Sequence, residues 1–219
     1  MVFIFFYLII MAVLFFFAIT LIFIPYGFTM YSLVTLFTVP QQIINIVSSK
    51  NIRRNHALEH ATVNVLEKYA GRSLPISGIA QENGFIISGL QDPDLIIDAA
   101  QEGLHLLKQG DCRLAIHRKC GTSIAIANFV AAAIFLLILI FTGHFSILTI
   151  IFALLLANVL GPYLGEFSQK YFTTSCDVKE IEIEGIEPEF KGEGSYHLLL
   201  NHIPGGYFIR TSYSKLING

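Results

Sequence analysis

The stretch VFIFFYLIIMAVLFFFAITLIFI, residues 2–24, decides what kind of protein this is. A helical crossing of the hydrocarbon core needs about 20 apolar residues, and this stretch meets that requirement with no charge. A cleaved signal peptide would have a basic start, a short apolar core and a small-residue cleavage site. No basic residue occurs in residues 1–24, so the segment is expected to be retained as a span. Outward from it, Lys, Arg, Asp and Glu are absent from Met1 to Ser49 and again from Cys120 to Gly165. Each block has room for two spans. The first divides into 2–24 and 28–48 at the turn-forming Pro25-Tyr26-Gly27, and the second into 122–141 and 146–165 at a tight hairpin, Thr142-Gly143-His144. Pro40, Gln41 and Gln42 interrupt the second span, which predicts a kink or an interfacial end there.

The sequence therefore predicts a polytopic α-helical membrane protein with four transmembrane helices, a small cytoplasmic α/β domain and a C-terminal β-containing tail. The expected division is 1–49 (helices 1 and 2), 50–120 (α/β domain), 121–166 (helices 3 and 4) and 167–219 (tail). Of the 219 residues 54% are hydrophobic and 14% charged, a balance that fits a chain largely in lipid. All 14 Lys and Arg residues fall in the two polar regions, so the positive-inside rule puts those regions and both termini in the cytoplasm, at the plasma membrane. A net charge of −2 excludes nucleic acid as a partner, leaving the lipid bilayer and a membrane-protein or peptide substrate. Cys112, Cys120 and Cys176 have no framework spacing and read as reduced thiols.

Within 50–120 the pattern is helix, strand, helix, strand. Leu58, Ala61, Val65, Leu66 and Tyr69 form a helical stripe that stops at Gly71. Residues 84–89 read as a short buried strand, and Asp92-Pro93 opens a second helix that runs to Gly110. Cys112 to His117 alternates like a strand. In the tail, 179–184 alternates with period two, and 195–213 reads as a hairpin turning at Pro204-Gly205-Gly206.

His56, Glu59 and His60 lie at i, i+3 and i+4 of the first helix in this region, so all three project from one face. Two imidazoles one turn apart can share a divalent metal, expected to be Zn2+, with Glu59 placed as the acid–base. A catalytic zinc takes a third protein ligand. Cys120 leads, because it sits where the chain re-enters the membrane and the motif helix starts where the chain leaves it; Arg118 and Lys119 beside it also favour the thiolate. His117, Glu166 and Asp177 compete for that place. Asn55 and Asn64 read as surface caps, His105 as a surface residue, and Asn158 and Gln169 as residues able to line the site.

The His-x-x-Glu-His order resembles that of the inverzincin metallopeptidases. With a later Cys it also looks like the metal site of the S-ribosylhomocysteine lyases, which share a fold with those peptidases. The resemblance implies metal binding by His56, His60 and Cys120 and acid–base chemistry by Glu59. The peptidases' own third ligand is a downstream Glu, a departure that bears on Cys120. Asn55 to Thr62 (NHALEHAT) and His117 to Thr122 (HxxCGT) are further similar to a family of prokaryotic membrane proteins of uncharacterised activity. The expected function is a membrane-bound zinc metallopeptidase; the alternatives are a non-catalytic metal-binding assembly protein and a metal-dependent lyase.

Overall fold

The computed structural model describes residues 2–143, 146–190 and 205–214. Its elements in chain order are α1 (Val2–Ser48), α2 (Lys50–Ala70), β1 (Ser77–Gln81), β2 (Gly84–Ser88), α3 (Pro93–Lys108), a 3-10 turn (Cys112–Ala115), α4 (Gly121–Thr142), α5 (Ile147–Ser168), a π turn (Gln169–Thr173), β3 (Ile181–Glu189) and β4 (Gly206–Tyr213). The chain divides into two compact units, one of Met1–Gln41 with Ala125–Tyr163 and one of Gln42–Ile124 with Leu164–Gly219.

In the first unit the expected turn at Pro25-Tyr26-Gly27 does not form. α1 runs through Pro25, Gly27 and Pro40 as one helix, so the described residues contain three helices long and apolar enough to cross a membrane, not four. Turn chemistry presupposes water to satisfy the backbone. Inside an apolar run a helix keeps those bonds internal, and hydroxyls can occupy carbonyls that a proline frees. Thr29 adds a further internal bond beside Pro25, its hydroxyl donating to the Pro25 carbonyl at 2.8 Å. The second half of α1 turns Ser32, Thr35 and Val39 inward at helical spacing, where small side chains let helices approach closely. Phe28 meets Phe135 of α4 edge-on at 5.0 Å, beside a core of Phe135, Leu136, Ile150 and Ala153. α4 ends as expected near 142, with Gly143 in the left-handed region; His144 lies outside the described residues.

The second unit packs α2 and α3 together and against a four-stranded antiparallel sheet of order β1-β2-β4-β3. α2 starts on Ser49, whose hydroxyl accepts the Ile52 N–H, and stops at left-handed Gly71 as its sequence predicts. α3 begins with Asp92 as N-cap and Pro93 in its first turn, also as predicted. Gly103 lets α3 approach α2, since a methyl group there would lie 3.1 Å from Ala61. Leu58, Val65 and Leu66 of α2, Ile96 and Leu107 of α3, and Phe85, Ile87 and Ile209 of the sheet make one continuous core.

Three local expectations change. β1, Ser-Gly-Ile-Ala-Gln, is a strand without a strong strand composition; a two-residue turn after Gln81 pairs it with β2. Cys112 to His117 does not form a strand but opens with the 3-10 turn, because its carbonyls bond side chains of α2 in place of a ladder: Leu114 and Ile116 accept from Asn64, and Ala115 from His60. Cys112 and Cys176, read as reduced thiols, are paired, with Cα atoms 5.7 Å apart. In the tail, the expected strand at 179–184 is the start of β3, which pairs with β4 from Ile181↔Tyr213 to Glu189↔Gly206. The first arm of the hairpin expected at 195–213, and Pro204, lie outside the described residues.

Candidate metal centre

The two imidazoles and the thiol expected at the site come together in the second unit. One potential ligand atom from each of His56, His60 and Cys120 lies within 4.8 Å of the other two, and all three residues are buried. α2 places its part by helical spacing alone, with the His56 and His60 rings 4.3 Å apart. Cys120 arrives from the residue before α4, its Sγ 3.3 Å from His56 Nε2. Glu59, on the same face, has Oε2 3.9 Å from His56 Nε2.

Each histidine is oriented by a main-chain carbonyl. His56 Nδ1 donates to Thr173 O at 2.9 Å and His60 Nδ1 to Ala115 O at 2.7 Å. A bond of this kind fixes the ring and leaves the Nε2 lone pair directed elsewhere, as in metal-ligating histidines. His60 Nε2 is buried and has no hydrogen-bond partner. A buried, unpaired nitrogen costs about 1–3 kcal/mol unless something accepts its lone pair. The three donors fit a divalent ion of the zinc type, which takes nitrogen and sulfur ligands.

The electrostatics favour the thiolate that such an ion needs and leave a proton on His56 for it to displace. Burial works to raise the Cys120 pKa, but the His56 hydrogen bond and the flanking imidazoles outweigh it and bring it down to about 4. Burial works to lower the His56 pKa, but the Cys120 bond and the charges of Glu59 and Cys120 raise it to about 9. Thiol and imidazole therefore stand as a thiolate–imidazolium pair. Burial pushes the Glu59 carboxyl up, against the opposing pull of His60 and His56.

A cavity of about 170 Å³ opens on His56, Glu59 and Cys120, with Gly78 of β1 on one wall and Gly121 on another. Gly78 is required there by contact, since a side chain would collide with the Glu59 carboxylate.

The remaining candidates lie elsewhere. The His117 ring is 6.1 Å from that of His60, and its Nε2 faces Glu67 Oε2 at 3.4 Å. Asp177 bonds Arg54 at 2.6 Å and Lys50 at 3.1 Å, and Glu166 is exposed. Asn158 is exposed in the first unit and His105 is exposed on α3. Asn55 and Asn64 are not surface caps. Asn55 is fully buried, donating to Gln81 O and Glu82 O and accepting from the Thr211 hydroxyl; Asn64 holds Leu114 O and Ile116 O. Gln169 is buried and bonds the chain on either side of Cys120. Thr173 and Ala115 act through carbonyls, which every residue carries, so nothing in their side chains announces the role.

Comparison with known proteins brings a family without bringing a reaction. An uncharacterized protein of Picosynechococcus sp. (strain ATCC 27264 / PCC 7002 / PR-6) is 33% identical over 158 residues, covering 66% of this chain and 75% of the relative. No solved structure matches the chain. The model of one family, described as a domain of unknown function (DUF6391), matches residues 51–186, a span that contains His56, Glu59, His60 and Cys120. The chain belongs to the DUF6391 family.

Proposed function

We propose that this protein is a membrane-bound metal-dependent hydrolase, a zinc peptidase that works at the cytoplasmic surface of the cell membrane. The observation that carries the reading is the convergence of His56, His60 and Cys120 within 4.8 Å, beside a buried carboxylate and an open cavity. His56, His60 and Cys120 would hold the ion, which supplies Lewis-acid polarisation of a scissile carbonyl and a water of lowered pKa. Glu59 accepts the proton of the attacking water and returns it to the leaving amine. Its raised pKa suits both halves of that cycle, because an acid–base works best near the operating pH. The carbonyls of Thr173 and Ala115 keep the two imidazoles in the tautomer that presents Nε2.

Charge and connectivity support this location. α4 and α5 are long and apolar enough to cross and return, which supports placing the two polar regions on one face. All 14 Lys and Arg residues lie in those regions, which supports a cytoplasmic placement. A peptide or a membrane protein is the substrate suited to a site close to lipid.

One observation favours a second reading. Glu59 Oε2 lies 3.9 Å from His56 Nε2, near enough for the carboxylate to serve as a fourth ligand and close the site. A closed site is structural, and the protein would then be a non-catalytic metal-binding assembly protein. Elemental analysis of the purified chain should find one metal per protein, lost in His56→Ala, His60→Ala and Cys120→Ala. Glu59→Gln then separates the readings. Under hydrolysis it keeps wild-type metal affinity and stops cleavage of a fluorogenic peptide library; under a closed site it weakens metal binding.

A further inference from the structure

One turn of chain at the end of α5 reaches His56 and the segment that carries Cys120 at once. At Gln169 the α-helical ladder gives way to the π turn, in which the Thr174 N–H donates to Gln169 O at 3.1 Å and the Thr174 hydroxyl bonds the same oxygen at 2.8 Å. π turns are rare and recur at functional sites, because the wider turn re-aims the groups it carries. Here the far end of the turn presents the Thr173 carbonyl to His56 Nδ1 at 2.9 Å. The near end presents the Gln169 side chain, 1% exposed, to the His117–Ser123 segment.

That carboxamide uses its acceptor and both donors on the segment. Its Oε1 accepts from the His117 N–H at 2.8 Å, and its Nε2 donates to His117 O at 3.1 Å and to Ser123 Oγ at 2.5 Å. Its full donor set is thus used. The bonded groups stand three residues to either side of Cys120, and the Cys120 N–H in turn donates to the same His117 carbonyl at 3.3 Å. Close packing supports the clamp, since a side chain at Gly165 of α5 would collide with Ser123.

We infer that Gln169 is the positioning residue for Cys120, and that the π turn joining it to Thr173 sets the thiolate and the His56 imidazole in register with each other. The inference rests on the metal reading above and extends it to a residue that touches neither ion nor substrate. A ligand set must be held within about 0.5 Å of its working geometry by just such a supporting layer. Without the clamp, the Cys120 segment keeps its connection to α4 and its packing on Gly165 but loses its hydrogen bonds to the end of α5.

The test uses the full chain in detergent, with Co2+ as probe and a competing chelator. Gln169→Leu should bind Co2+ about 10–100-fold more weakly and lose the thiolate-to-cobalt charge-transfer absorption at saturation. Gln169→Glu keeps the acceptor for the His117 N–H and should fall between Gln169→Leu and wild type. Ser123→Ala, which removes one of the three bonds, should show a smaller loss in the same direction. A folded Gln169→Leu with wild-type affinity and absorption overturns the inference. Should Gln169→Leu fail to fold, Ser123→Ala decides: unchanged affinity and absorption overturn it equally. If the wild type takes up no Co2+, it is the metal reading that fails. The clamp is then decided on metal-free protein in which Cys112→Ser and Cys176→Ser leave Cys120 as the one thiol. Iodoacetamide should alkylate it faster in Gln169→Leu, and equal rates sink the role.

Discussion

α1 and α2 adjoin in sequence and invert each other's logic. The first half of α1 is apolar and points Phe5, Phe15, Phe16 and other large side chains outward, exposed among the described residues. α2 carries polar and charged groups and buries Arg54, Asn55, His56, Glu59, His60 and Thr62. For a chain in water both patterns would be wrong. Exposed phenylalanines in such number need a nonaqueous surrounding, which a bilayer provides. Buried polar groups need partners, and each of those on α2 has one except His60 Nε2, Arg53 Nε, Arg54 Nε and the groups that converge on the candidate metal centre. The first helix thus reports its environment, and the second reports its chemistry.

Truncating a leucine in each helix is the strongest way to break that comparison. Leu58, with no exposed surface, lies in the core that joins α2 to α3 and the sheet. Leu58→Ala should cost about 2–5 kcal/mol, read as a lowered denaturation midpoint of the second unit in detergent. Leu14 of α1 is 55% exposed, and Leu14→Ala should move that midpoint by less than about 0.5 kcal/mol. Equal losses at the two positions would mean that α1 is packed by protein after all. Next in size is Asn55→Leu, which removes the bonds to Gln81 O, Glu82 O and the Thr211 hydroxyl. Stranding those groups should cost about 1–3 kcal/mol by the same denaturation measurement. No loss would return Asn55 to the surface role that its sequence position suggests.

What could be read from the sequence divides along the same line. His56, Glu59 and His60 are legible because helical spacing is local, and Cys120 because both segments adjoin a long apolar run. The helix stop at Gly71 and the cap at Asp92 are local too. Asn55 is misjudged because its burial comes from Gln81 on β1 and Thr211 on β4, which no neighbouring residue announces. Pro25-Tyr26-Gly27 misleads for a different reason: its turn preference is a property of chains in water, whereas the flanking residues favour a helix that keeps its bonds internal. Cys112 and Cys176 meet only because the 3-10 turn and the segment after the π turn both end beside α2. The carbonyls of Ala115 and Thr173 belong to the backbone and leave no trace in residue type.

Protonation sharpens the contrast most finely, because the imidazole of α2 should titrate unlike one in water. A metal ion must find His56 neutral and Cys120 ionised. With Cys120 at about 4 and His56 at about 9, the metal-free centre at pH 7 holds one proton too many, and it sits on His56. Binding at pH 7 therefore displaces that proton, and apparent affinity should go on rising, by about tenfold for each pH unit, from 7 up to about 9. Above 9 the dependence should flatten, and below 4 it should steepen as the thiolate also takes a proton. Competition titrations with Co2+ across that range read the slope directly. A solvated histidine would flatten the curve near 6.5. A curve flat from there upward would remove the thiolate–imidazolium pair from the metal-free state, whereas a slope that persists to about 9 ties the buried face of α2 to the thiol that precedes α4.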